Sequence, residues 1–339
     1  DGMKRMFRYL GLCLLALFAC VQADAARRVI LDTDIDSDVD DAGALAMLLN
    51  LHARGVVDLR GIVVTSDDTY AALCTQAICT FYGYPDMPIG VNVHQANMRN
   101  HSRYTRQIAE EFPRAAGAWT DFEEAASLYR RLLAESPDSS VTVLTIGHLS
   151  SLRDLLRSAP DGHSPLTGVQ LAGRKVSRWL CMGGRFPEGK EANFYRPDPE
   201  ATLYCLDNWP GRAVFSGWEI GREVRSGGPY LKRRFPDRHP VRRAYELYNR
   251  FAGRASWDQT AVLLLTDRAD DFFGYRSAGR CVVMPDGSNR WEEGPEGYHS
   301  CLVFREGADR DRAARLIDRL IAGDRRTLRR IGPAEEPVR

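Results

Sequence analysis

The chain has 339 residues, 44% of them hydrophobic and 27% charged, enough to bury one large core. Lysine and arginine total 46 against 45 aspartates and glutamates, a formal net charge of +1, and the basic residues are scattered apart from short runs such as LKRRF and DRRTLRR. That balance gives no electrostatic ground for a nucleic-acid partner.

The first element is MKRMFRYLGLCLLALFACVQADAA, which has a basic start, an apolar stretch and a small-residue site at Ala23-Asp24-Ala25. This is the anatomy of a secretory signal, so residues 1–25 read as a signal with a short N-terminal extension, and the protein is expected in the periplasm or outside the cell. LFAC also resembles a lipoprotein box at Cys20, but Phe18 is bulky for that position, and simple export ranks higher. No stretch reaches the roughly 18 apolar residues of a membrane span, so no integral membrane segment is expected after signal removal.

Apolar runs and helical patterns then alternate: RVILDTD, AGALAMLLNLHARG, DLRGIVVTS, TYAALCTQAICTFYG and MPIGVNV. The alternation resumes with VTVLTIG, SLRDLLRS, RWLCMGG, DPEATLYCLD and RAVFSG. Such a sequence predicts an α/β fold with a mostly parallel, Rossmann-like open sheet and helices on both faces. Its functional groups belong in loops at the carboxyl ends of the strands. Residues from about 222 to 255 look like a less regular insertion before the helix WDQTAVLLLTD. Cys281 and Cys301 bracket a predicted β-hairpin near the C-terminus; they read either as one bridge or as buried free thiols. The helix DRDRAARLIDRLIAG closes a single domain over 26–325, and 326–339 form a tail.

The most informative stretch is VILDTDIDSDVDDAGALAML, with aspartates at 32, 34, 36, 38, 40 and 41 at a strand end. An EF-hand counted from Asp32 would need glycine at its sixth position and glutamate at its twelfth, where Ser37 and Gly43 stand. VILDTD also resembles the DxD of a haloacid dehalogenase-type phosphatase, with Asp32 attacking phosphorus, but Asp36 occupies the place of its threonine or valine. A calcium site fits better, since calcium takes six to eight oxygens and an acidic loop can begin such a shell.

LDTDIDSDVDDAGALA resembles the N-terminal signature of the nucleoside hydrolases, and three further segments follow in that family's order. VTVLTIGHLSSL is similar to its GxLTN-type turn, MGGRFPEGKEANFYRPDPEA to its MGG, ExN and DPEA series, and SWDQTAVLL to its HDPxA-like helix start. The resemblance covers about residues 28–265 and implies hydrolysis of a ribosyl N-glycosidic bond with Ca2+ as cofactor. It implies Asp34 as calcium ligand and proton acceptor, with Asp41, Asp258 and the carbonyl of Ile146 completing the metal set. Asp40, Glu191 and Asn193 would hold the sugar, and Asp32 would support the loop. The partners implied are a small nucleoside or ribosyl substrate and further copies of the chain, as a homodimer or homotetramer.

Two departures stand out. Five residues, IDSDV, separate Asp34 from Asp40 where the family pattern has three, leaving Asp36 and Asp38 without roles. Trp257 stands where relatives have a histidine thought to protonate the leaving base; an indole cannot do that at useful pH, though it can stack on a base. His94, His101, Tyr245 and Tyr248 are candidates for that proton, and Ser66-Asp67 stands where the family has an asparagine. The loss of the histidine also admits a protein that binds a nucleoside or sugar with calcium but does not cleave it efficiently.

Overall fold

The computed structural model describes residues 26–92, 102–294 and 297–334. The predicted signal segment, His94 and His101 lie outside the described residues. The chain enters through β1 (Arg27–Thr33), the strand from which the sheet grows outward on both sides. Side chains of a strand alternate between faces, and here Val29 and Leu31 enter one buried cluster while Ile30 enters the other. The helix Asp40–Ala53 follows, buried almost all round because helices Trp257–Leu263 and Arg310–Ile321 pack on it.

The remaining strands are β2 (Val57–Val64), β3 (Ile89–Val91), β4 (Glu123–Glu124), β5 (Val141–Thr145), β6 (Val176–Met182), β7 (Glu188–Lys190) and β8 (Ala213–Ser216). A two-stranded ribbon, β9 (Arg225–Ser226) with β10 (Arg254–Ala255), precedes β11 (Phe273–Val283), β12 (Ser288–Glu293) and β13 (His299–Phe304). Among the described residues the large sheet has eleven strands in the order β4-β3-β2-β1-β5-β6-β8-β13-β11-β12-β7. Every pairing from β4 to β13 is parallel, and β13-β11-β12-β7 are antiparallel. One face carries the helices Asp40–Ala53, Ala71–Phe81, Trp257–Leu263 and Arg310–Ile321; the other carries Ala125–Ala134, Ser150–Arg157, Gly168–Lys175 and Pro199–Asn208. The predicted mostly parallel sheet, helices on both faces and C-terminal hairpin are all present.

Two local readings change. The stretch 222–255 is regular: it forms the helices Pro229–Arg234 and Pro240–Asn249 and the β9–β10 ribbon. The C-terminal hairpin joins β11 to β12, with β13 on the opposite edge of β11, so Cys281 faces Trp291 and Cys301 faces Arg276. Their register sets the two thiols apart, and all six described cysteines are free and buried. No helix of the described residues is long and apolar enough to cross a membrane.

The parallel register aligns the carboxyl ends of five strands: Thr33 pairs with Val64, Asp32 with Thr145, Thr145 with Cys181 and Met182 with Ser216. The loops that leave these ends therefore share one rim.

Candidate active site

A cavity of about 740 Å³ opens at that rim, lined by Asp34, Asp38, Asp40, Asp67, Ile146, His148, Glu191, Asn193, Trp218, Trp257 and Asp258, among others. At its base the lining carboxylates Asp40 and Asp258 converge with that of Asp41. Asp40 and Asp41 open the helix Asp40–Ala53, and Asp258 lies in the first turn of Trp257–Leu263, so two helix starts meet. One oxygen from each of the three lies within 4.8 Å of the others, and all three residues are at most 4% exposed.

The approach of the two helices depends on small residues and on the aspartates themselves. A Cβ at Gly43 would come within 2.4 Å of the Tyr245 hydroxyl and 2.6 Å of Gln259 Nε2. Gln259 Nε2 donates to the Asp40 carbonyl at 3.0 Å, and the Asp258 backbone N–H donates to Asp40 Oδ2 at 3.2 Å. Asp258, which could have capped its own helix, leaves that bond to Asp40. Thr33 Oγ1 donates to Asp41 Oδ1 at 2.5 Å and Ser37 Oγ to Asp41 Oδ2 at 3.5 Å. Burial first, and then repulsion from neighbouring aspartates, Asp34 and Asp38 included, push the Asp40, Asp41 and Asp258 carboxyls well above their ordinary range. Among the described residues no ion pair reaches any of the three. Buried like charges at this spacing call for a cation, and a set made only of oxygens suits a hard divalent one.

Asp34 lies beside this trio, half-buried, and its charge is felt by all three. Desolvation lifts its carboxyl to about 7 against a hydrogen bond from Ser37. The turn after β5 presses against it: a Cβ at Gly147 would sit 2.5 Å from the Asp34 nitrogen, so only glycine allows this approach. The carbonyl of Ile146, just before that glycine, accepts from Asn193 Nδ2 at 3.1 Å, and a carbonyl oxygen retains a second lone pair. Asp40, read from the sequence as a sugar holder, thus stands in the compact carboxylate group, while Asp34 and the Ile146 carbonyl line the cavity next to it.

Asp32 is elsewhere. It shares the face of Ile30, and its buried carboxylate accepts hydrogen bonds from Thr65 Oγ1 and, at 2.8 Å, from Tyr129 Oη. A phosphatase nucleophile must reach its substrate; Asp32 is sealed behind the sheet and does not line the cavity. Burial raises its carboxyl to about 7 despite the two donors.

Asp36 and Asp38 have structural work in the lengthened turn. Asp36, at φ 106°, accepts from the Arg103 N–H at 2.8 Å and from Thr105 Oγ1 at 3.1 Å. Asp38 forms an ion pair with Arg254, whose guanidinium lies 5.0 Å from the Trp257 ring centroid and 5.9 Å from that of Tyr248. The Trp257 indole N–H donates to the Trp218 carbonyl at 2.9 Å, leaving only its ring for a ligand. Tyr245 is buried under the helix start, and neither Tyr245 nor Tyr248 lines the cavity.

On the neighbouring wall Glu191 caps the short turn Ala192–Tyr195. Its carboxylate accepts from the backbone N–H groups of Asn193 at 3.0 Å and Gly184 at 3.1 Å, and burial lifts it to about 7. Asn193 Nδ2 also reaches the Met182 carbonyl at 3.2 Å, tying this wall to the end of β6.

Sequence reasoning missed several residues of the cavity. His148 follows Gly147 directly; its Nδ1 is 3.1 Å from Ser150 Oγ, which donates to Asp198 at 3.3 Å, and burial lowers the imidazole to about 4. Its place in the strand-end turn IGHLSS was the available signal. Arg103 and Arg254 had none, because their partners, Asp36 and Asp38, lie far away in the chain, and Lys190 and Arg196 were passed over although they adjoin Glu191 and Asn193.

The family model of the inosine-uridine preferring nucleoside hydrolases matches residues 29–299, and the chain belongs to that family. It is an N-glycosyl hydrolase, a nucleoside ribohydrolase, of a metal-dependent kind whose buried aspartates could bind the ion. Among solved structures, a plant nucleoside hydrolase is similar with a TM-score of 0.66 at 17% identity, covering 87% of this chain and 99% of its own. An inosine-uridine preferring nucleoside hydrolase from Bacillus anthracis gives 0.63 at 18%, covering 88% and 99%. The type III effector XopQ, complexed with adenosine diphosphate ribose, gives 0.59 at 15%, covering 91% and 96%. At these identities the likenesses show the fold. No curated protein matches the chain in sequence.

Proposed function

We propose that this protein is an exported, calcium-dependent hydrolase of ribonucleosides that releases free base and ribose. The observation that carries the reading is the buried trio Asp40, Asp41 and Asp258, at the base of a cavity whose wall bears Glu191 and Asn193. Export rests on the basic, apolar and small-residue order of residues 3–25. Calcium rests on the donor chemistry: several carboxylates and a backbone carbonyl suit its large, flexible shell better than the strict octahedron of magnesium.

Asp40, Asp41 and Asp258 would hold the ion, with Asp34 and the Ile146 carbonyl as its further protein ligands. When bound, calcium would supply a Lewis acid for the sugar hydroxyls and for a water that gives up a proton more readily. Asp34, the most exposed of these carboxylates and itself a lining residue of the cavity, would take that proton. Glu191 and Asn193 hold the polyol, and their carboxylate and amide oxygens also favour the positive charge that develops on the ribose as the C–N bond breaks. The base lies against Trp257. No proton comes from that indole, so the departing base meets a ring face.

Base release from inosine, uridine, adenosine and cytidine, followed with calcium present and after chelation, tests this reading. Release that stops on chelation and returns with calcium is expected. A calcium-loaded protein that cleaves no ribonucleoside contradicts it.

A further inference from the structure

Four basic side chains line the cavity: Arg103, Lys190, Arg196 and Arg254. Arg254 is committed to Asp38. Lys190 meets Asp286 at 3.2 Å, but both side chains are about half exposed, a kind of pair that exchanges readily with solvent. Arg196 is exposed and forms no ion pair among the described residues. Lys190 and Arg196 both approach one ring that also lines the cavity: Lys190 Nζ lies 5.1 Å and Arg196 Cζ 5.3 Å from the centroid of Tyr195. Stacking on that ring limits where both charges can go.

Their position in the chain matters as much as their charge. Lys190 ends β7, Glu191 and Asn193 follow, and Arg196 comes one residue after the turn Ala192–Tyr195. The two cations therefore flank the groups assigned to the sugar hydroxyls, and the charge of Arg196 reaches the carboxyl of Asp34. A neutral ribonucleoside offers either cation only uncharged acceptors. A phosphate ester does, because a guanidinium and an ammonium together match its charge and its acceptor oxygens. The cavity, about 740 Å³, lies in the upper part of the roughly 300–1,000 Å³ range of ligand sites and has space for the added group.

We propose that the Lys190–Tyr195–Arg196 wall binds a phosphate on the primary hydroxyl of the ribose, so that phosphorylated ribosyl N-glycosides are preferred over free nucleosides. This rests on Glu191 and Asn193 holding the sugar, as in the hydrolase reading.

The test compares inosine with inosine 5′-monophosphate on the calcium-loaded protein, by base release and by calorimetric binding, in wild type, Arg196→Ala, Arg196→Lys and Lys190→Ala/Arg196→Ala. Both side chains are exposed, so the fold tolerates the changes. The expected result is a higher kcat/KM for the monophosphate, a preference reduced about tenfold or more by the double substitution, and partial recovery in Arg196→Lys. Cleavage of inosine with equal or poorer use of the monophosphate overturns this inference and leaves the hydrolase reading standing. Tight monophosphate binding that depends on Arg196, with no base released from either compound, supports this inference and overturns the hydrolase reading. Binding of neither compound overturns both.

Discussion

Two sets of buried carboxylates flank β1, and the chain treats them differently. Asp32, on one face, receives the hydroxyls of Thr65 and Tyr129. Asp40, Asp41 and Asp258, on the other, crowd within 4.8 Å and receive few donors: Thr33 and Ser37 for Asp41, and one backbone N–H for Asp40. Asp32 is satisfied by the fold alone. The trio has an excess of acceptors over donors, which a bound cation or protonation relieves. Burial identifies both sets; the source of the compensating charge separates a structural carboxylate from a functional one.

The sharpest way to break this contrast is to remove a charge from the trio. Asp41→Asn should lower base release by about 1,000-fold or more, since it removes a proposed metal ligand, while the calcium-free variant should melt at or above the wild-type temperature because repulsion is relieved. An activity assay and a melting curve in chelator check both halves, and destabilisation of the calcium-free variant would contradict the repulsion argument.

On the other face the expectation reverses. Tyr129→Phe takes a donor from Asp32 and should cost about 1–3 kcal/mol in denaturant unfolding, with base release by the folded protein falling far less than in Asp41→Asn. A large activity loss without destabilisation would put Asp32 in the chemistry.

Trp257→Phe is milder still. It keeps a ring in the wall and loses the bond to the Trp218 carbonyl, so kcat should fall by less than about tenfold, with the acidic and basic limbs of its pH profile unmoved. A displaced limb would mean that Trp257 controls a proton transfer.

The smallest effect concerns a carboxylate remote from both sets. Asp318 accepts the Gly227 N–H at 2.8 Å, and burial lifts it to about 6 from an ordinary 3.8. A raised carboxyl stabilises the fold fully only below its unfolded value and loses that contribution as pH rises through the folded one. Asp318→Asn should therefore match wild type near pH 4 and exceed it near pH 8, by on the order of 1 kcal/mol since the side chain is half-buried. Melting curves at the two pH values check the sign.

What could be read from the sequence follows the range of the interactions. β1, the helix after it and the alternation that predicts a parallel sheet depend on neighbours in the chain, and they are legible in RVILDTD and AGALAMLLNLHARG. β4, β7, β9 and β10 are two or three residues long, too short to carry a period. The trio was only partly legible: Asp41 and Asp258 stood together in the predicted set, but Asp40 joins them through the approach of two helices more than 200 residues apart in the chain. Asp38 had no assignment because its partner, Arg254, lies in a stretch that looked irregular. The bridge between Cys281 and Cys301 failed as a reading for a related reason, since β13 pairs on the far edge of β11.

The central claim is that the trio holds one divalent cation on which activity depends. Equilibrium dialysis with calcium, on wild type and on Asp41→Asn/Asp258→Asn, tests it most directly. One calcium per wild-type chain and none in the folded double variant is the predicted result; equal calcium in both, or none in wild type, would contradict it.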